Sequence, residues 1–376
     1  MDEALRDGLH SQRRLIELPV TIGRFRLSGK ETNEPGPHIR VRPDWLAQRQ
    51  EEILEPNLAI VDAHHHLFWD RPDRRYLLFE FLGDISDRHN IRATVFVECR
   101  AMYRADGDPR LKSLGETEFA NGVAAMGASG LYGDTRVCAG IVGKVDLVAS
   151  GDRSGAELEA HVAAAPTRFR GIRNISAWHA DPAARGTTAD PPPGMLQERS
   201  FRQGFAHLGR LGLSFDAWMY HTQLSELADL AGAFPETMIV LNHAGGPIGI
   251  GPYAGRRDAV FGEWLAGMQR LAEHDNVTVK VGGFGMRLFG FGFENGALPP
   301  SSSELAEAWG PYVEECISAF GVQRCMFEGN FPVDKGTCSY DTIWNTFKRI
   351  VASYSADEKA HLFHGTATRV YRLAGI

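Results

Sequence analysis

Cysteine is scarce in this chain. Cys99, Cys138, Cys316, Cys325 and Cys338 are scattered, odd in number and without a Cys-x-x-Cys pair. That argues against a disulfide framework and a cysteine-ligated zinc centre, and leaves buried thiols in a reducing compartment. Long apolar runs are missing too. No stretch approaches the roughly 20 residues that a membrane-spanning helix needs, and the mean hydropathy is -0.23. The segment Met1–Leu15 is charged and lacks the apolar centre of a secretory signal. The expectation is a cytoplasmic protein with no membrane partner. Nor is there a surplus of positive charge. Forty Lys and Arg against 47 Asp and Glu give a formal charge of -7, which argues against a nucleic-acid partner.

What is present is a long series of buried-strand patterns. Short, nearly continuous apolar runs occur at Ala59–Ala63, Ala93–Glu98, Val137–Val142, Phe169–Ile175, Leu213–Met219, Met238–Asn242, Val277–Val281 and Cys325–Glu328. Such runs suit parallel strands covered on both faces. Between and after them, helical spacing predicts helices over Glu116–Met126, Gly155–Ala165, Phe201–Leu211, Gln223–Phe234, Phe261–His274, Ser303–Phe320 and Tyr340–Val351. Eight β-then-α units in 376 residues predict an α/β fold, a (β/α)8 TIM barrel with an N-terminal extension. The alternative, an open doubly wound sheet, lacks a GxGxxG after the first strand.

The expected division is an extension over residues 1–58 and a barrel over 59–376. Val20–Leu27 reads as a strand or hairpin arm, Pro35–Pro43 as a linker and Pro43–Leu54 as a short helix opening at proline. The extension is expected to pack on the barrel or on a neighbouring subunit, which leaves a homo-oligomer open. Ser355–Leu373 reads as a helix covering the outside of the barrel.

In such a barrel, functional groups sit where strands end. The first strand ends in His64, His65 and His66. Alternate residues share a face, so His64 and His66 point together into the mouth and form a pair of ligands for zinc or a similar ion. His65 points the other way. The fifth and sixth strands run into His221 and His243, two further candidates, and the glycines after His243 let a substrate approach the backbone. Glu98, ending the second strand, is a ligand or general base, or else pairs with Arg100 or Arg173. Arg173, with Arg100 or Arg104, has the geometry to grip a substrate carboxylate. Lys280, flanked by valines, contacts substrate or sits in an ion pair. The loop from Phe284 to Phe293 alternates glycine and phenylalanine, and Phe291 is placed in a lid over a ring-shaped substrate. The stretch Cys99–Gly115 is a second candidate wall.

Taken together, IVDAHHHLFWD, LNHAGGP, VKVGG, MFEGNFPVD and LFHGTATRVYRL resemble the amidohydrolase-related family of metal-dependent barrel hydrolases. Its lactonase and decarboxylase branch includes sugar lactonases, dicarboxylate lactonases and some aromatic-acid decarboxylases. The resemblance runs from about Ile60 to Leu373. It implies that His64 and His66 bind metal and that His221 and His243 complete the ligand set or touch substrate. The family's eighth strand carries an aspartate that handles the attacking water, and here that position holds Asn330. A carboxamide cannot act as a general base, although its oxygen can bind metal or position water. Asp334 or Glu98 takes over as base, or the metal works without one, or no metal is used. Asp334 otherwise reads as a helix cap or an ion-pair partner of Lys335.

The resemblance therefore implies a hydrolase opening a lactone or similar cyclic ester, or an amide, of a small carboxylated or ring-shaped molecule. Its cofactor is a divalent metal, zinc first and manganese second, with metal independence left open. The alternatives are a metal-dependent decarboxylase of an aromatic or enoic acid and a non-catalytic binding protein.

Overall fold

The structure is a computed structural model describing residues 38–69, 74–85, 88–187 and 189–376. Eight strands run Ala59–His65, Asn90–Val97, Arg136–Gly143, Phe169–Ile175, Ser214–Trp218, Ile239–Leu241, Val277–Val281 and Cys325–Phe327. All are parallel and ordered as in the chain. The seam between the eighth strand and the first closes through backbone just beyond the eighth. The Asn330 N–H donates to the His64 carbonyl and the His66 N–H to the Phe331 carbonyl, each at 2.8 Å. This is the expected (β/α)8 barrel. Its closing bonds are made by the very residues that carry the candidate chemistry.

Helices follow most strands, at Leu114–Ala128, Ser154–Ala164, Arg199–Leu211, Leu224–Ala233, Arg257–Ala272, Ser302–Phe320 and Tyr340–Ile350. Ser301 caps one of them and Glu304 returns the bond, the reciprocal arrangement that fixes a helix start. One further helix, Leu78–Ile85, has no counterpart in the sequence expectations. It follows the first strand after a two-stranded ribbon of Phe68–Trp69 and Arg75–Tyr76. The expected helix Pro43–Leu54 is only Pro43–Leu46. Val20–Leu27, and the expected linker up to Pro37, lie outside the described residues. Residues 38–58 lie against the barrel: Trp45 Nε1 donates to the Gly296 carbonyl at 3.1 Å, and Lys348 Nζ to the Leu54 carbonyl at 2.6 Å.

The C-terminal segment differs from expectation. It is helical from Ala356 to Val370, with a wider π turn over His361–Gly365. Instead of lying only outside, it ends by plugging the barrel. Tyr371 and Leu373 join Val61, Ala63, Val95, Val97 and Val240 in one buried apolar cluster. Gly140 makes the space, since a Cβ there would lie 3.1 Å from Leu373 Cδ2. Among the described residues, no helix is long and apolar enough to cross a membrane.

Candidate active site

The first strand carries an irregularity between Asp62 and His65. Val61 and Ala63 pack into the barrel interior. Beyond the bulge the alternation changes phase, so His64 and His66 meet, with Nε2 atoms 3.2 Å apart. His65 turns outward, stacking on Phe81 with ring centroids 4.3 Å apart. Its Nε2 meets the Thr94 hydroxyl at 2.9 Å.

The hydrogen-bond network assigns the His66 tautomer. His66 Nδ1 lies 2.8 Å from the Val97 carbonyl, which only accepts, so His66 Nε2 carries a bare lone pair. His64 Nδ1 lies 2.8 Å from Glu328 Oε2 and 3.5 Å from Lys280 Nζ. The shorter contact is an ion-pair approach, and Glu328 Oε2 makes no hydrogen bond among the described residues. Arg173 Nη1 faces His64 Nε2 at 3.3 Å, so a cationic donor stands at each nitrogen of this ring. His243 Nδ1 and its backbone N–H meet Glu328 Oε1 at 2.8 and 3.1 Å. Glu328 therefore orients the His243 imidazole by hydrogen bonds through one oxygen and stands against His64 with the other.

All three rings are held neutral. Burial, then the Lys280 ammonium, keeps His64 well below the usual imidazole range. Burial, then the Arg173 guanidinium, does the same for His66 and His243. Burial lifts Glu328 to about 8, opposed by Lys280 and the His243 N–H. The glycine pair after the seventh strand allows the close approach of Glu328 and His243. A Cβ on Gly283 would stand 2.5 Å from His243 Nδ1, and one on Gly282 2.5 Å from Glu328 Cγ.

Below the histidines lies a layer of charge. Lys280 Nζ pairs with Asp216 Oδ2 at 2.7 Å, both fully buried. Asp216 also accepts from Asn242 Nδ2 at 3.0 Å and from the Tyr371 hydroxyl, which rises from the C-terminal plug. Lys280 is thus in a structural ion pair beneath the site. Arg173 Nε donates to Glu98 Oε1 at 2.8 Å, and its Nη2 to the Glu98 carbonyl. Glu98 Oε2 has no hydrogen-bond partner among the described residues.

Asn330 sits in the left-handed region, as do His243 and Arg100, with φ values of 49°, 53° and 64°. Such strain in non-glycine residues gathers at functional sites. Asn330 Nδ2 donates to Asp334 Oδ1 at 2.7 Å, so its own Oδ1 faces away, without a hydrogen-bond partner among the described residues. Asp334 Oδ2 accepts from the Gly285 N–H at 3.0 Å. Burial pushes the Asp334 carboxyl well above the usual range. Its neighbour Lys335 pairs with Asp84 instead, at 2.6 Å.

A cavity of about 270 Å³ opens above these groups, lined by His66, Glu98, Arg100, Arg173, His243 and Asn330 among others. Trp69 and Trp218 wall it, and His38 reaches it from the described part of the extension. The Trp218 ring stands edge-on to His243, with centroids 4.6 Å apart.

The structure does not bring every candidate here. The fifth strand stops at Trp218, and His221 opens a short turn that carries it outward. There its ring packs edge-on to Tyr253 and its Nδ1 accepts the Ile248 N–H at 3.3 Å. Phe291 stacks between Phe289 and Phe293 under the Arg257 guanidinium, outside the cavity lining. Its loop gives the cavity Met286 instead. Arg104 pairs with Glu118, away from the site.

Residues 61–373 match the family described as Amidohydrolase. The chain belongs to the amidohydrolase family. This amidohydrolase is 34% identical over 339 residues to Uncharacterized protein y4mH of Sinorhizobium fredii, covering 84% of this chain and 99% of that one. It is 26% identical over 331 residues to a Burkholderia ambifaria protein named L-fucono-1,5-lactonase, covering 83% and 95%. A Burkholderia multivorans amidohydrolase solved with bound HEPES is similar at a TM-score of 0.65 and 25% identity, over 84% of this chain and 99% of that one. Another crystal form of it was solved with bound zinc.

The site also contains residues that sequence reasoning did not single out. Glu328 and Asp216 are buried carboxylates inside apolar strands, and that cost was the available signal. His64, His243 and Glu328 bring one candidate ligand atom each within 4.8 Å of one another.

Proposed function

We propose that this chain hydrolyses a lactone of a small, single-ring acid. The observation that carries the reading is the convergence of the His64 and His66 Nε2 atoms, 3.2 Å apart, beside a cavity of about 270 Å³. That volume falls near the lower end of small-molecule sites, roughly 300–1,000 Å³. The lactonase-named relative and the zinc-bound relative support the same reading.

The donor set fits a divalent cation. Two neutral imidazoles whose Nε2 atoms converge are a ligand pair that a cation would satisfy, displacing the Arg173 Nη1 contact of 3.3 Å at His64 Nε2. His64 and His66 would hold zinc or manganese, with His243 completing the set. Such an ion polarises an ester carbonyl and lowers the pKa of water.

The chain's own residues supply the rest. Glu98 Oε2, without a hydrogen-bond partner among the described residues, takes the proton of the attacking water, while Arg173 fixes the other oxygen. The water oxygen bonds to the carbonyl carbon, the ring C–O bond breaks, and the proton on Glu98 passes to the departing oxygen. The product is an open-chain hydroxy acid. Asn330 accepts a hydrogen bond from the water through Oδ1, its orientation locked by Asp334. Trp69 and Trp218 hold the ring and exclude bulk water.

The test is a screen of five- and six-membered lactones, followed by acid release, with Glu98→Gln alongside. Turnover reduced at least 100-fold in Glu98→Gln is expected. Carbon dioxide release without lactone opening would sink the reading in favour of decarboxylation.

A further inference from the structure

Connecting segments run over protein surfaces, yet the loop after the eighth strand does not. Asn330, Asp334, Thr337 and Cys338 are all buried. Part of their cover comes from outside the barrel. Ile39, itself buried, lies flush on Gly336. A Cβ on that glycine would stand 2.6 Å from Ile39 Cβ and 2.7 Å from the Ile39 carbonyl oxygen. The residue before it, His38, lines the cavity. The family match begins at Val61, so Ile39 belongs to a segment for which the family does not account.

A strap of hydrogen bonds holds Ile39 in place. Glu51 Oε1 accepts the Ser302 N–H at 2.7 Å, at the start of the helix Ser302–Phe320. Arg49 Nε donates to the Pro299 carbonyl at 3.1 Å, and Arg42 Nη2 to the Glu294 carbonyl at 2.5 Å. Followed back from Leu54, the strap therefore crosses the loop after the seventh strand and ends on the loop after the eighth. Those two loops are bonded to each other. Asp334 Oδ2 takes the Gly285 N–H, and the Thr337 hydroxyl donates to the Gly285 carbonyl at 2.8 Å. Gly336 shares one tight turn with Asp334, the carboxylate that locks Asn330. The Thr337 and Cys338 N–H groups close that turn on the Asp334 carbonyl, at 2.9 and 3.2 Å. A side chain seated on the turn restrains the backbone that aims Asp334, and through it the Asn330 amide.

We propose that Ile39 is a positioning residue of this active site: seated on Gly336, it keeps Asp334 locked against Asn330, so that the N-terminal extension is part of the catalytic apparatus. Its kinetic consequence rests on the lactone-hydrolase reading, in which Asn330 directs the attacking water. The clamp itself is measurable without turnover. Cys338 closes the same turn, and its buried thiol gains access to a reagent when the turn opens.

The experiment compares full-length wild type, Ile39→Val, Ile39→Ala and Gly336→Ala. Iodoacetamide labelling is followed by mass spectrometry at Cys338, with the buried Cys325 of the eighth strand as the control for general unfolding. Ile39→Ala and Gly336→Ala break the contact from its two sides. Each is expected to label Cys338 about tenfold faster than wild type, with Cys325 unchanged. Ile39→Val keeps a branched side chain on the turn and is expected to stay within about threefold of wild type. On a lactone that wild type opens, Ile39→Ala is expected to lower kcat about tenfold with little change in KM. Its zinc content should equal that of wild type, since His64 and His66 are untouched. Wild-type labelling of Cys338 in both contact-breaking variants, or an unchanged kcat in Ile39→Ala, overturns the proposal. So does a parallel gain at Cys325 or a loss of zinc, either of which would mean a general loosening of the barrel. If no lactone is opened, the hydrolase reading fails, and the labelling of Cys338 alone decides the clamp. Gly336→Ala decides it if Ile39→Ala does not fold.

Discussion

Glu328 holds His243 by an Nδ1 contact of 2.8 Å, and its other oxygen stands 2.8 Å from His64 Nδ1. The first contact is a hydrogen bond that orients His243, and the second sets the same carboxylate against His64, whose Nε2 meets Arg173 Nη1 at 3.3 Å. Glu328→Gln offers a single acceptor and turns an N–H at one of the two imidazoles. Affinity for zinc is expected to fall about 10–100-fold, measured by competition with a chromophoric chelator. Affinity equal to wild type would mean that Glu328 does not set the ligand geometry.

The Lys280–Asp216 pair, at 2.7 Å and fully buried, makes a separate prediction. Lys280→Met leaves Asp216 charged beneath the histidines and is expected to cost about 3–5 kcal/mol in urea unfolding. The double variant Lys280→Met/Asp216→Leu removes both charges and is expected to cost less than the single one. A double variant that is worse by the full sum would show two independent packing losses instead of one broken pair.

Much of this was legible in the chain. The eight strands are visible because each is buried on both faces, and His64, His66 and His243 stand where apolar runs end. Helix Leu78–Ile85 was not, because the intervening ribbon separates it from the first strand and its eight residues give a short period. His221 shows how strand parity fails past a strand end: the fifth strand stops at Trp218 and the next turn points elsewhere. Glu328 and Asp216 announce themselves as costly buried charges, but a sequence does not say which imidazole or ammonium each will meet.

His161 carries a pH prediction away from the site. Its Nδ1 meets the Thr117 hydroxyl at 2.8 Å, and burial lowers it from 6.5 to about 4. Between those values the unfolded chain binds a proton that the folded chain does not. The contribution is therefore complete above pH 6.5 and is lost as pH falls toward 4. On this account, wild type loses about 3 kcal/mol more than His161→Gln between pH 7 and pH 4. Parallel urea profiles for the two proteins would contradict it.

Asn330 and Asp334 predict the opposite sign. Asn330→Asp sets a second carboxyl where the amide now lies 2.7 Å from Asp334 Oδ1, in a site where burial already raises Asp334. A folded pKa raised above the unfolded one means stability is lost as pH rises. The Tm of Asn330→Asp should fall more than that of wild type between pH 5 and pH 8. The swapped variant Asn330→Asp/Asp334→Asn restores one acid and one amide, and should recover most of the difference. Equal pH dependence in all three proteins would contradict the close pairing.

The most direct test of the account is zinc titration into chelator-treated protein, wild type beside His64→Ala/His66→Ala, followed by calorimetry and elemental analysis after desalting. The account predicts close to one equivalent of zinc retained by wild type and none by the variant, with both remaining folded. Retention of zinc by the variant, or failure of wild type to hold it, would contradict the assignment of the converging His64 and His66 Nε2 atoms to a metal.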